Sequence, residues 1–247
     1  MGAWQDALAA RDIEVLSGMM STRGEDYSTL ESIRRTGGVR PDEHWTENLA
    51  IARDAARHAA TLHCGLVTFH AGFLPHDRDD RERAKLVGRL RTLVDVFADQ
   101  GVRVGFETGQ ETAETLLDVL DELDRPTAGV NFDPANMILY GMGDPVAALE
   151  RLGRHVRQVH VKDAHAATRP GEWGTEVRVG TGDVDWRRFF AVLDRVQPDV
   201  DLVIEREAGA DRVADIVAAR SHLLSIGVLL AGDAGESESA PTVGGGA

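Results

Sequence analysis

The sequence predicts an α/β protein on a TIM-barrel-like scaffold of parallel strands and helices. Short apolar runs alternate with amphipathic helical segments through most of the 247 residues. Five of these runs end on a side chain that can bind a metal ion or a proton. Such groups at successive strand ends are typical of parallel α/β enzymes, where the carboxyl ends of the strands meet at one edge.

The clearest strand–helix–strand unit lies between residues 129 and 164. One apolar run ends on Asp133, and a later one runs into His160 and Lys162. Between them, residues 144–153 (DPVAALERLG) are predicted to form a short amphipathic helix with a proline in its first turn. This order of elements is the repeating unit of a parallel sheet.

Six strands are recognised along the chain, each followed by a helix or a long loop. They are predicted near residues 13–20, 65–70, 102–107, 130–133, 156–162 and 201–205. Helices are predicted over residues 4–11, 42–62, 81–100, 111–123, 144–153, 186–196 and 211–226. The polar stretches 21–41 and 164–185 are predicted to be long loops, the first containing one helical turn, and loops of this length are usually functional.

An eight-stranded barrel needs two strands more than the sequence provides. Because the chain opens on a helix, the first two strands are expected to be lacking, with the missing pair upstream of Met1. Residues 1–230 are then one shortened barrel domain and residues 231–247, rich in Gly, Ser and Glu, a disordered tail. Alternatively, the six strands close differently or form an open doubly wound sheet, although no glycine-rich phosphate loop follows the first strand.

Composition narrows the classes of partner. The net charge of −14 disfavours a nucleic acid, because phosphate binding needs a basic face. Cys64 is the only cysteine and lies in an apolar run, so neither a disulfide nor a thiolate metal cluster is expected. No apolar run approaches the ~20 residues of a membrane span, and the N-terminus lacks the layout of a signal peptide. A cytoplasmic protein without a membrane partner is expected.

Five strand-terminal side chains form the candidate site. In a parallel barrel they would converge on one mouth, whatever their separation in sequence. They are His70, Glu107, Asp133, His160 and Glu205. Either Glu107 or Asp133 alone has a structural explanation, since an acidic residue after a strand often caps the next helix. Five such endings in consecutive units are not explained by capping.

The two-residue period of a strand extends this site. Lys162 shares a face with His160, and Glu207 shares one with Glu205, while Asp163 and Arg206 face away. Three carboxylates and one imidazole suit Mn²⁺ best, then Mg²⁺ or Co²⁺, with Zn²⁺ also compatible. A divalent cation polarises a carbonyl and stabilises an enediolate, while a carboxylate moves the neighbouring proton.

The strand endings VTFHAG, VGFETG, VNFDPAN, QVHVKDA and LVIEREAG, with VGTGDVDW before the last strand, resemble the sugar phosphate isomerase/epimerase family of xylose isomerase-like TIM barrels. The resemblance extends from about residue 13 to residue 224. It implies a metal site made by Glu107, Asp133, His160 and Glu205. It also implies that Glu107 and Glu205 are the catalytic acid–base pair.

The resemblance also implies substrate-facing groups. His70 and Lys162 fall where relatives place them. Relatives often carry a histidine three residues beyond the aspartate, where this chain has Asn136, which can hydrogen-bond a hydroxyl but cannot take a proton. Glu207 and Trp173 complete the candidate substrate-binding set. Trp173, in a long loop at the predicted mouth, either packs against the protein or stacks on a sugar ring.

The sequence therefore predicts a metal-dependent isomerase or epimerase of a small polyhydroxylated substrate: a sugar, a sugar derivative or a hydroxy-keto acid. Two alternatives stay open, a metal-dependent keto-polyol dehydratase and a shortened, catalytically silent homologue that binds a ligand or partner. The acidic charge disfavours the nuclease activity known among structural cousins. Exposed strand edges would favour a homodimer.

Overall fold

A computed structural model describes residues 2–228 of the chain. The predicted tail, residues 231–247, lies outside the described residues. Six parallel strands form one sheet whose spatial order equals their order in the chain. These strands are β1 Gly18–Met19, β2 Leu66–Phe69, β3 Arg103–Glu107, β4 Ala128–Phe132, β5 Val156–Val161 and β8 Asp201–Ile204.

A separate antiparallel hairpin joins β5 to the segment before β8. It consists of β6 Asp163–His165 and β7 Thr175–Val177, with Ala164 opposite Glu176. The prediction of an irregular loop over residues 164–185 is therefore wrong in part, because two three-residue strands are too short to give a sequence pattern.

The first predicted strand, residues 13–20, is shorter in the structure. Only Gly18 and Met19 pair with β2, opposite Val67 and Thr68. β2 begins at Leu66, one position before Val67, so the residues before Ser17 have no strand beside them to pair with. The other five predicted strands are confirmed.

The sheet curls into a half-barrel. The Ser17 hydroxyl and the Gln158 side-chain amide are joined by hydrogen bonds of 2.9 and 3.1 Å, although β1 and β5 stand four strands apart in the sheet. Among residues 2–228, β1 and β8 do not pair with each other, so the described sheet has two edges. The open doubly wound alternative is wrong, because the strand order never reverses.

Helices alternate with the strands along most of the chain. They are α1 Gly2–Ala9, α2 Leu30–Thr36, α3 Trp45–Thr61, α4 Arg81–Ala98, α5 Ala113–Leu123, α6 Pro134–Tyr140, α7 Pro145–Leu152, α8 Trp186–Val196 and α9 Arg212–Ser225. The sequence prediction missed α6, since seven residues are too few for a clear helical period. Side-chain oxygens accept free N–H groups in the first turn of seven of the described helices; the capping residues are Thr29, Asp80, Thr112, Asp133, Asp144, Asp185 and Asp211.

The alternation of side chains along each strand separates the core from the site. Phe69, Phe106 and Phe132 are buried on the helix-covered face, where Phe69 and Phe106 meet edge to face and Phe132 contacts Phe189 of α8. Their neighbours in sequence point into the barrel. Polar side chains are thereby collected on the concave face of the sheet.

Candidate metal centre

Four predicted side chains converge at the carboxyl ends of four adjacent strands. Glu107 ends β3, Asp133 follows β4, His160 lies in β5 and Glu205 follows β8. Each offers one ligand atom, and these atoms all lie within 4.8 Å of one another. The structure thus brings together residues that are as much as 98 positions apart in the sequence.

The centre of the cluster is buried and rich in oxygen. His160 Nδ1 lies 3.2 Å from Glu205 Oε2, 3.5 Å from Glu107 Oε1 and 3.9 Å from Asp133 Oδ2. Asp133 Oδ2 is buried and accepts no hydrogen bond from the described part of the chain. A buried acceptor without a donor requires an explanation. A cation bound among these ligands would give this oxygen a partner, and the donor set of three carboxylates and one imidazole fits a divalent metal.

Lys162 supplies the nearest permanent positive charge. Its Nζ donates to Glu205 Oε2 at 3.1 Å and to Glu207 Oε2, and it lies 3.7 Å from Asp133 Oδ2. Burial lowers the pKa of Lys162, but the charges of Asp133, Glu205 and Glu207 outweigh that effect, so the net direction is upward. The lysine remains cationic and offsets part of the carboxylate charge.

The pKa values in the cluster follow from burial and close opposite charges. Burial lowers the pKa of His160, yet hydrogen bonds with Glu107 and Glu205 raise it to about 10. Burial raises the pKa of Glu205, but the hydrogen bond from His160 and the charge of Lys162 hold it at about 2. For Asp133, burial dominates and raises the pKa to about 7. Without a metal, a protonated His160 therefore faces an ionised Glu205.

Asn131 belongs to the site, although sequence reasoning did not select it. Its buried Nδ2 donates to Glu107 Oε2 at 3.3 Å and lies 3.1 Å from His160 Nε2. Asn131 precedes Asp133 by two positions in the β4 region, so the two-residue period that linked Lys162 to His160 would have found it.

The predicted substrate-facing residues surround this cluster at different depths. His70 Nε2 lies 3.8 Å from Glu107 Oε1 at the end of β2. Asn136 donates to Glu107 Oε1 at 2.9 Å and accepts from Lys162 at 3.3 Å. The side chain of Glu207 is 66% exposed, which places it at the rim of the site.

Trp173 lies on the connection between β6 and β7. Its ring meets the Tyr140 ring edge to face, with 4.9 Å between centroids. Tyr140 ends α6, the helix that Asp133 begins. The structure gives Trp173 a packing partner, and its stacking on a sugar stays a prediction.

Comparisons with known proteins agree with the fold. The chain belongs to the xylose isomerase-like TIM barrel family, whose profile matches residues 3–226. It is similar to a xylose isomerase domain protein from Planctomyces limnophilus, with 34% identity and a TM-score of 0.85 over 91% of this chain and 80% of that one.

Two further proteins are similar to this chain. L-Ribulose 3-epimerase of Methylomonas sp. (strain DH-1) is 29% identical over 143 residues, which are 54% of this chain and 45% of that protein. The chain spans about half the length of the curated relatives it matches. A xylose isomerase-like TIM barrel protein from Mycobacterium smegmatis in complex with magnesium shares the fold, with 16% identity and a TM-score of 0.67 over 90% of this chain and 76% of that one.

Proposed function

We propose that the protein is a divalent-metal-dependent isomerase or epimerase of a small sugar, sugar derivative or hydroxy-keto acid. The observation that carries the proposal is the buried cluster of three carboxylates and one imidazole, whose ligand atoms lie within 4.8 Å of one another. The similarity to L-ribulose 3-epimerase supports a ketose as the first substrate to test.

The metal ligands in this proposal are Glu107, Asp133, His160 and Glu205. Mn²⁺ suits this mixture of hard oxygens and one nitrogen best, and Mg²⁺, Co²⁺ and Zn²⁺ are compatible with it. When bound, the ion supplies Lewis-acid polarisation of the substrate carbonyl and stabilises the negative charge of an enediolate.

Glu107 and Glu205 are the proposed acid–base pair. They extend from β3 and β8, which are the outer members of the four strands that carry the cluster. The hydrogen bond from His160 and the charge of Lys162 keep the pKa of Glu205 near 2, so this carboxylate is ionised at neutral pH. One glutamate, as its carboxylate, takes the proton from the carbon beside the carbonyl, and the other, protonated from solvent, returns a proton from the opposite side.

Three neighbouring groups bind the substrate in this proposal. Lys162 and the Asn136 amide donate hydrogen bonds to substrate oxygens, and His70 lies beside Glu107 at the next strand along the sheet. Asn136 can orient a hydroxyl, but its amide is neither an acid nor a base at neutral pH. Proton transfer is therefore left to the glutamates.

Proton exchange with solvent tests this proposal directly. The Mn²⁺-loaded protein is incubated in D₂O with a panel of ketopentoses and ketohexoses, and NMR follows deuterium at the carbon beside the carbonyl. We expect deuterium in an epimeric or isomeric product. Glu107→Gln and Glu205→Gln should each lower the rate by about 10²- to 10⁴-fold.

Glu114→Gln is the matched control, because Glu114 is an exposed glutamate on α5, and its rate should equal that of the wild type. A product that has lost one water would identify a keto-polyol dehydratase instead. A protein that binds Mn²⁺ but exchanges no proton with any member of the panel would contradict the isomerase proposal.

A further inference from the structure

The segment that follows β8 carries two charged groups of the site but has no regular structure of its own. The Glu205 N–H donates to Val161 O at 3.2 Å, which continues the ladder between β8 and β5. Beyond it, the N–H groups of Glu207 and Ala208 donate to Glu176, at 3.0 Å to each of its two carboxylate oxygens. One side chain therefore holds two successive backbone amides of this segment.

Arg206 joins the same segment to Glu176 and to α9. Its Nη1 donates to Glu176 Oε1 at 2.7 Å, and its Nε donates to Asp215 Oδ2 of α9 at 2.8 Å. The Arg206 and Glu176 side chains are only 10% and 7% exposed. Buried ion pairs of this kind hold their partners in a fixed geometry, since breaking one leaves an unpaired buried charge.

Glu176 lies in β7. This strand pairs with β6, which follows directly after β5. Ala164 of β6 lies opposite Glu176 of β7, and β6 begins one residue after Lys162. The hairpin thus joins the segment bearing His160 and Lys162 to the segment bearing Glu205 and Glu207. Lys162 donates to both of these glutamates, so their placement depends on both segments.

We propose that Glu176 is a positioning residue for the metal centre. It holds the backbone after β8 so that Glu205 faces His160 while Glu207 faces Lys162. This inference rests on the proposed function for the role of Glu205. Glu176 itself is not one of the four clustered ligand residues, and it acts through the amides of Glu207 and Ala208 and through Arg206.

Calorimetric titration of the full chain with Mn²⁺ tests this role. Glu176→Gln keeps the size of the side chain but replaces one of the two accepting oxygens by an NH₂ group and removes the charge that pairs with Arg206. We expect the Kd for Mn²⁺ to weaken about tenfold or more, the range typical of residues that orient metal ligands. Glu172→Gln is the control, because Glu172 lies on the connection just before β7 but is exposed and pairs with Arg169. Its Kd should be unchanged.

Asp215→Asn distinguishes positioning from a general loss of stability. It removes the negative charge of the second partner of Arg206 but leaves both backbone amides bound to Glu176. We expect Asp215→Asn to lower the Tm of the metal-free protein and to leave the Kd close to the wild-type value. Equal effects of Asp215→Asn and Glu176→Gln on both quantities would contradict the inference.

Failure of the two proposals is distinguishable in the same titration. A wild-type Kd that Glu176→Gln leaves unchanged overturns the positioning role alone. A wild-type chain that binds no Mn²⁺ overturns both the positioning role and the proposed function. Should Glu176→Gln fail to fold, Glu176→Asp provides the same comparison, because it keeps the charge but withdraws the carboxylate by one methylene.

Discussion

The two carboxylate oxygens of Asp133 have different surroundings. Oδ1 accepts the Asn136 N–H at 2.9 Å and so begins α6. Oδ2 has no donor among residues 2–228 and lies 3.9 Å from His160 Nδ1. The sequence pattern left capping and metal binding as alternatives for this residue, and the geometry is compatible with both at once.

Glu111 is a buried carboxyl group that the sequence pattern gave no reason to single out. It is 3% exposed, and burial raises its pKa from 4.5 to about 8. The folded chain therefore retains a proton that the unfolded chain releases, and stability is lost as the pH rises from 4.5 through 8. The loss is about 1.4 kcal/mol per pH unit between these values.

We predict that Glu111→Gln stabilises the protein more at pH 9 than at pH 5, because the amide remains neutral throughout. Urea unfolding at both pH values measures the difference, with Glu114→Gln as an exposed control on the following helix. Equal effects of Glu111→Gln at the two pH values would show that the carboxyl group is not held protonated by the fold.

At the residue scale, the side chains at the strand ends could be predicted from the sequence, but the residues that pack around a given side chain could not. His160 and Glu205 end apolar runs, which a local pattern shows. The burial of Glu111 depends on the elements packed around it, and the link from Glu176 to Glu207 joins residues 31 positions apart. Neither has a local signature.

At the scale of elements, Asp163 organises the connection between β5 and α8. Its carboxylate accepts N–H groups from Gly180 at 2.9 Å and Gly182 at 3.1 Å, and the indole N–H of Trp186 at 3.0 Å. A Cβ at Gly182 would lie 2.1 Å from Asp163 Oδ1, so only glycine fits there. The prediction that Asp163 faces away from His160 and Lys162 is confirmed by these contacts.

We predict that Asp163→Asn destabilises the protein by about 2–4 kcal/mol, because one accepting oxygen becomes a donor and buried N–H groups lose their partner. Urea unfolding measures this loss, and limited proteolysis reports opening of residues 166–183. Asp183→Asn is the control, since Asp183 is an exposed partner of His165 in the same loop. A variant as stable as that control would contradict the anchoring role of Asp163.

Long elements were predictable and short ones were not. The helical period of residues 81–100 and 186–196 is sustained over enough turns to identify α4 and α8. The β6–β7 hairpin and α6 offer three to seven residues each, and they form because Asp163 and Asp133 supply acceptors for nearby N–H groups.

At the scale of the molecule, the described sheet is a half-barrel with β1 and β8 at its edges. Three apolar side chains near β1 are about half exposed: Ile13, Leu16 and Met19. Unpaired strand edges favour association, so the homodimer stays a prediction. Among the helices of residues 2–228, none has both the length and the apolar character needed to cross a membrane.

The half-barrel itself could be anticipated, because six strand–helix units recur in order and each strand of a barrel pairs with its neighbour in sequence. The curvature that brings Ser17 to Gln158 could not be predicted from the sequence, since it results from the summed twist of several strands. The same curvature brings the ends of β3 and β8 to one centre.

A thermal-melt titration with Mn²⁺ tests the central claim, that Glu107, Asp133, His160 and Glu205 form a metal site. It compares the wild type with Asp133→Asn, which keeps a capping oxygen for α6 but replaces one carboxylate oxygen by an amide group. Asp144→Asn, at the cap of α7, is the matched control.

We expect Mn²⁺ to raise the Tm of the wild type and of Asp144→Asn, because an ion that binds only the folded state stabilises it by mass action. At an Mn²⁺ concentration of 100 times the Kd, the free energy of unfolding should rise by about 2.7 kcal/mol. The Tm of Asp133→Asn should not change when Mn²⁺ is added. A cooperative melt of the wild type that Mn²⁺ leaves unchanged, or an equal response of Asp133→Asn, would contradict the metal site and favour a catalytically silent homologue.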